Sequence, residues 1–253
     1  MYRSKLESNG MPADGSSRAA ILDDGRFTVA VAALPAAVTA DRVLPSEAAI
    51  VLFIGLYFLV AAAVLYYAAD AGVLRRFGWA NRITWIRTAL TVIIAGTLID
   101  AGSAVNGWMV GVLAAVALAL DGLDGPIARR HGRTSRFGAL FDQEIDAGLI
   151  LVLCLLLGLS GKIGLWIVAL GAMRYVLFIA GWLWPALQRP LPPSFFRRAV
   201  CAIQVAALLI GLLPPVAPHV AAWIGGSALG ILVLSFGRDV LWLLRQPQPK
   251  LHP

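Results

Sequence analysis

Residues 121–146 read DGLDGPIARRHGRTSRFGALFDQEID, and this stretch decides the fold. Four carboxylates, Asp121, Asp124, Asp142 and Asp146, stand at the edges of two long apolar segments. A charged side chain at bilayer depth costs roughly 2.5–3.5 kcal/mol, so four unpaired ones would oppose insertion by about 10 kcal/mol or more. Something must offset that, and a divalent cation is the simplest candidate. On helices, Asp121 and Asp124 stand three apart and Asp142 and Asp146 four apart, so each pair shares a face. Gly125, Pro126, Gly132 and Gly138 between them suit a reversal. Two antiparallel helices would then bring all four carboxylates together. Hard oxygen ligands without a neighbouring Cys or His cluster favour Mg²⁺ or Mn²⁺ over zinc.

Working outward, the chain of 253 residues is 59% hydrophobic and only 14% charged, with a mean hydropathy of +0.79. Those values exclude an ordinary soluble domain and predict an all-α, polytopic membrane bundle. Apolar stretches of near-spanning length fall at about 48–69, 83–100, 104–121, 139–159, 163–185, 199–217 and 220–243. Residues 1–26 are polar and mixed in charge, which predicts a disordered tail and not a signal peptide. Residues 27–40 are apolar but short and interrupted by Pro35, which predicts an interfacial segment. The expected division is a tail over 1–47, an added transmembrane helix and loop over 48–79, a membrane domain over 80–243 and a second tail over 244–253. Cys154 and Cys201 both lie in apolar runs and read as core residues without a disulfide or metal role. Trp85, Trp182, Trp184 and Trp223 lie near span ends and read as interfacial anchors.

Basic residues set the orientation. Arg75, Arg76, Arg82, Arg87, Arg129, Arg130, Arg133, Arg136, Arg189, Arg197, Arg198, Arg238, Arg245 and Lys250 fall on one side of a seven-span arrangement, against Lys162 in the opposite loops. The positive-inside rule places the carboxylates on the cytoplasmic side and the N-terminus outside. The net charge of +7 suits anionic lipid surfaces, and no nucleic-acid motif accompanies it.

The acidic stretch also resembles a known family. Asp121, Asp124-Gly125, Ala128-Arg129, Gly138, Asp142 and Asp146 match, at every fixed position, the signature of the CDP-alcohol phosphotransferases. The resemblance covers roughly residues 80–243 and implies a six-helix core, with the helix at 48–69 as an addition. Members of the family transfer a phosphoalcohol group from a CDP-linked donor to a hydroxyl and release CMP. The resemblance implies that Asp121, Asp124, Asp142 and Asp146 hold Mg²⁺ or Mn²⁺, two ions in all, with Asp146 also the general base. It assigns Gly125, Ala128, Arg129 and Gly138 to the donor nucleotide pocket. Small residues at 125, 128 and 138 would let a nucleotide approach the backbone, and Arg129 can pair with phosphate oxygens. Asn81, Thr84 and Arg87 resemble the family's Asn-x-x-Thr-x-x-Arg opening of the first core helix, and Asn81 and Thr84 are added to the donor site.

For the acceptor, the candidates are Arg174 and Arg198. Arg174 lies inside an apolar helix, where either pairing with an intramembrane carboxylate or binding an anionic acceptor would explain it. Arg198 and Gln204 resemble the Lys and Gln of a family element, in which Val200 and Cys201 replace a second Lys and a Thr. Glu144 points off the Asp142/Asp146 face and stays outside the predicted site. The expected activity is phosphatidyl transfer from CDP-diacylglycerol to a small alcohol, glycerol 3-phosphate first, among the lipids of a bacterial inner membrane. Inositol phosphate, serine, a second lipid, or transfer of a CDP-linked amino alcohol to diacylglycerol are the alternatives, and the family adds the expectation of a homodimer. A prenyltransferase would need a second Asp-rich motif, yet Asp239 is the only acidic residue after Asp146. An ion transporter is the remaining reading for intramembrane acids.

Overall fold

The computed structural model describes residues 15–70, 78–101, 106–131, 136–184 and 194–245; side chains are described in these segments except at 15–25, 70, 78–80, 123–131, 136 and 198. The described residues form eight α-helices, in order α1 (Gly15–Val43), α2 (Glu47–Asp70), α3 (Gly78–Gly96), α4 (Gly107–His131), α5 (Arg136–Leu159), α6 (Val168–Leu183), α7 (Phe195–Leu212) and α8 (Pro218–Arg245). Among the described residues there is no strand. Five helices among the described residues are long and apolar enough to cross a membrane: α2, α3, α6, α7 and α8. The protein is an integral membrane helical bundle. With no water in the hydrocarbon, helices satisfy every backbone group internally, which is why the apolar runs fold this way.

Helices α2 to α8 correspond one by one to the seven predicted apolar stretches, and two features differ from expectation in ways that matter. Helix α4 continues through Gly125 and Pro126 to His131, so neither residue forms the expected reversal, and residues 132–135 lie outside the described residues. Ala128, Arg129 and Arg130 are strong helix formers and carry the helix past the proline. The second difference is α1. Residues 1–14 of the expected tail lie outside the described residues; over the remainder of the tail and the short apolar segment, one helix runs from Gly15 to Val43 and packs along α2 and α3. Val29, Ala36, Ala40 and Val43 recur on its buried face, while Phe27, Val31, Leu34 and Val38 are exposed. Both faces are apolar over this stretch, which suits a helix held between protein and lipid.

The chain turns back between α1 and α2. Ser46 Oγ accepts from the Ala49 amide at 3.2 Å, capping α2, and donates to Asp100 Oδ2 at 2.7 Å. Tyr57 Oη donates to the Val29 carbonyl at 2.8 Å, so α1 runs antiparallel to α2. The start of α1 therefore points toward the end of the bundle where α2 finishes and α3 begins, in contrast to the N-terminus expected on the opposite side.

Helix α3 is the hub, packing against α1, α2, α4 and α5. Two apolar cores flank it. One joins α4, α5, α7 and α8 through Val110, Ala114, Leu153, Leu157, Leu208 and Ala228. The other joins α1, α2 and α3 through Phe53, Tyr57, Trp85 and Ile93, and takes in Phe141 of α5. Trp85 is wholly buried there, with ring centroids 5.7 Å from Tyr57 and 6.4 Å from Phe141, so it is a core residue and not an interfacial anchor. Trp182, Trp184 and Trp223 are exposed. Gly171 lets α6 approach α5, because a Cβ there would stand 2.8 Å from the Leu151 Cα. At the end remote from the carboxylates, Lys162 Nζ donates to the Leu213 carbonyl at 2.5 Å, capping the end of α7. Cys154 is buried and Cys201 exposed, and both are free thiols.

Candidate active site

Three helices build the site. Helix α3 presents Asn81, Thr84, Arg87, Thr88 and Thr91 along one side, all buried. Polar groups there must find partners inside the protein, because lipid offers none. The Thr88 hydroxyl donates to the Thr84 carbonyl at 2.8 Å and the Thr91 hydroxyl to the Arg87 carbonyl at 2.9 Å. Those bonds keep both hydroxyls satisfied within α3.

Facing this side, α4 supplies Asp121, and α5 supplies Asp142 and Asp146 one turn apart. One carboxylate oxygen from each lies within 4.8 Å of the others. The Arg87 guanidinium reaches all three: Nη1 stands 3.0 Å from Asp121 Oδ1 and also donates to Asp142 Oδ1, while Nη2 donates to Asp146 Oδ1. The arginine side chain is 2% exposed, whereas the aspartates are 36%, 36% and 43% exposed. The carboxylates therefore keep an accessible side, with the arginine behind them. Three clustered hard oxygens already gathered around a cationic group fit a divalent metal by the chemistry of the donor set.

Of the four predicted ligands, the structure brings together Asp121, Asp142 and Asp146. Asp124 lies on α4 three residues further along, with its side chain outside the described residues, as are those of Gly125, Ala128 and Arg129. Gly138 sits one turn before Asp142 on α5, and Asn81 and Thr84 share the buried side of α3 with Arg87. Arg198 is on α7, its side chain outside the described residues. Arg174 Nη2 pairs with Glu144 Oε1 at 2.5 Å, so the pairing alternative accounts for a cation inside α6.

Three residues carry more than the sequence reading gave them. Arg87 enters the sequence analysis as a flanking positive charge and as the last residue of the Asn81 to Arg87 opening, with no carboxylate partner; the structure pairs it with Asp121, Asp142 and Asp146. Glu144, set aside from the site, is the partner of Arg174. Asp239, on α8, is 13% exposed at its side chain and lies 3.3 Å from Arg197 Nη1 and 3.6 Å from Arg238 Nη2, tying the start of α7 to the end of α8. The Arg238 guanidinium also lies over the Phe196 ring, 4.8 Å from its centroid. Gln204 of α7 is 3% exposed, and its Nε2 has no hydrogen-bond partner among the described residues.

Comparison with known proteins converges on the same helices. Proteins of Mycobacterium bovis and Mycobacterium tuberculosis, provisionally named cardiolipin synthase, are 30% identical to the chain over 146 residues, covering 55% of it and 68% of each relative. No solved structure matches it significantly. The CDP-alcohol phosphatidyltransferase family matches across residues 77–234, from the start of α3 well into α8 and through all three clustered carboxylates. The chain belongs to the CDP-alcohol phosphatidyltransferase family.

Proposed function

We propose that the protein transfers a phosphatidyl group from CDP-diacylglycerol to an acceptor alcohol and releases CMP, using Asp121, Asp124, Asp142 and Asp146 with Mg²⁺ or Mn²⁺. The observation that carries this is the cluster of Asp121, Asp142 and Asp146, half-exposed carboxylates at one end of a membrane bundle. Asp121, Asp124, Asp142 and Asp146 would hold a divalent cation, which when bound would neutralise the diphosphate and stabilise charge on the leaving oxygen. Asp146 accepts the proton of the attacking hydroxyl. The new bond joins that oxygen to the phosphorus of the phosphatidyl group, and the bond from the same phosphorus to CMP breaks, CMP leaving with the electron pair. The family resemblance assigns Asn81 and Thr84 on α3, Gly125, Ala128 and Arg129 on α4, and Gly138 on α5 to the binding of the donor. The excess of basic residues at this end supports a cytoplasmic site in a bacterial inner membrane.

For the acceptor, the opening from Asn81 to Arg87 supports glycerol 3-phosphate, with Arg198 assigned to its phosphate by the family resemblance. Two observations favour a second reading, phosphatidylglycerol. Arg174, the other cation considered for an acceptor phosphate, is engaged by Glu144, and the mycobacterial relatives carry the cardiolipin synthase name. Purified protein given CDP-diacylglycerol and a panel of alcohols, with mass spectrometry of the lipid product, tests both. Phosphatidylglycerophosphate supports the first, cardiolipin the second, and no new lipid with any acceptor overturns the assignment.

A further inference from the structure

Arg87 is the most buried charge of the site, and its position sets a problem. Its side chain is 2% exposed, so it cannot turn to water, and it bonds the three carboxylates that the proposed function gives to metal and proton transfer. Three carboxylates and one guanidinium leave the cluster two charges negative; the same carboxylates around a divalent ion cannot also surround the arginine at no electrostatic cost. Like charges at this separation repel strongly in a medium of low polarity. The anion nearest to hand for a displaced guanidinium is the diphosphate of the donor, because Arg87 shares the buried side of α3 with Asn81 and Thr84. Arginine binds phosphate oxygens through a planar pair of donors, which a lysine cannot reproduce.

We infer that Arg87 is a resident counter-cation that competes with divalent metal for Asp121, Asp142 and Asp146, and passes to the donor diphosphate when metal binds. Without metal it holds the carboxylates together and spares the bundle an uncompensated cluster of negative charge. With metal and donor it becomes a positioning residue on the phosphate side. Metal and donor then bind cooperatively, since each makes room for or receives what the other displaces. The inference rests on the metal-dependent reading above.

Calorimetric titration of detergent-solubilised protein with Mn²⁺ alone, and then with CDP-diacylglycerol in the presence of saturating Mn²⁺, tests it without turnover. Arg87→Gln removes the competing charge, so the Kd for Mn²⁺ is expected to fall by about tenfold or more, while the Kd for CDP-diacylglycerol rises by a similar factor. A purely structural arginine would weaken both, and that result, or no change in Mn²⁺ affinity, overturns the inference. Arg87→Lys serves where the glutamine variant does not fold: it retains the charge but not the fork, so Mn²⁺ affinity should stay within about threefold of the parent and donor affinity should fall. A lysine variant that loses Mn²⁺ binding, or keeps full donor affinity, contradicts it. If the parent protein binds no Mn²⁺ at all, the metal-dependent function itself fails.

Discussion

Helices α2 and α3 lie side by side, yet only 28% of the apolar span of α2 is buried, against 67% of that of α3. Helix α2 is apolar throughout and spends most of its surface on lipid, with Phe58, Leu59 and Tyr66 exposed. Helix α3 carries Asn81, Thr84, Arg87, Thr88 and Thr91, and it is the one enclosed by α1, α2, α4 and α5. In a soluble protein the polar helix would face outward. Here the solvent at that depth is hydrocarbon, and polar groups move inward to meet one another. The candidate site therefore lies on the most enclosed of the five candidate spans and on helices that touch it.

The largest way to break this comparison is at the carboxylates facing α3. Asp146→Asn retains an oxygen ligand but loses the proton acceptor, so kcat should fall by about 10²-fold or more with CDP-diacylglycerol binding preserved. Asp121→Asn should instead weaken Mn²⁺ and donor binding together, because a neutral amide is a poorer ligand for a hard cation. Equal loss of donor affinity in the two variants, with turnover of Asp146→Asn recovering at high metal, would leave Asp146 a ligand only.

The next effect concerns how α2 supports α3. Trp85 is wholly buried between Tyr57 and Phe141, so Trp85→Ala should destabilise the bundle by about 3–5 kcal/mol, read as a lowered Tm in detergent. Tyr57→Phe removes the donor to the Val29 carbonyl and the acceptor of the Trp85 Nε1 bond at 3.3 Å. Its expected cost is smaller, about 1–2 kcal/mol. On the lipid side of the same helix, Phe58→Leu should change stability by no more than about 0.5 kcal/mol. A Phe58 variant as damaging as Trp85→Ala would mean that α2 is covered by protein, for example by a second copy of the chain.

Much of this was legible in the sequence, and the illegible parts share a cause. Helices α2 to α8 followed from apolar length, and the clustering of Asp121, Asp142 and Asp146 followed from the four-residue spacing on α5 and the antiparallel pairing with α4. Arg87 was harder to place, because an arginine close to a predicted span end is as well explained by charge bias as by a buried partner. Its pairing depends on carboxylates 34 to 59 positions away, which helical periodicity alone does not connect. The Arg174 and Glu144 pair shows the same limit. Helix α1 escaped because charges and Pro35 break its apolar run, while its buried face of Val29, Ala36, Ala40 and Val43 acquires meaning only against α2 and α3.

Helix α1 also bears on topology. Its antiparallel packing on α2 predicts that reporters fused before Met1 and after Pro253 are found on the same side of the membrane, the cytoplasmic one. An external N-terminal reporter with a cytoplasmic C-terminal one would restore the arrangement expected from the seven apolar runs alone, and α1 would then not follow α2 through the bilayer.

The central claim, metal-dependent phosphatidyl transfer at the carboxylates gathered against α3, is tested most directly by following CMP. Purified protein in lipid, given CDP-diacylglycerol with glycerol 3-phosphate or phosphatidylglycerol, should release CMP only with Mg²⁺ or Mn²⁺, stop on chelation and resume when the metal is restored. Undiminished CMP release in excess chelator would contradict it.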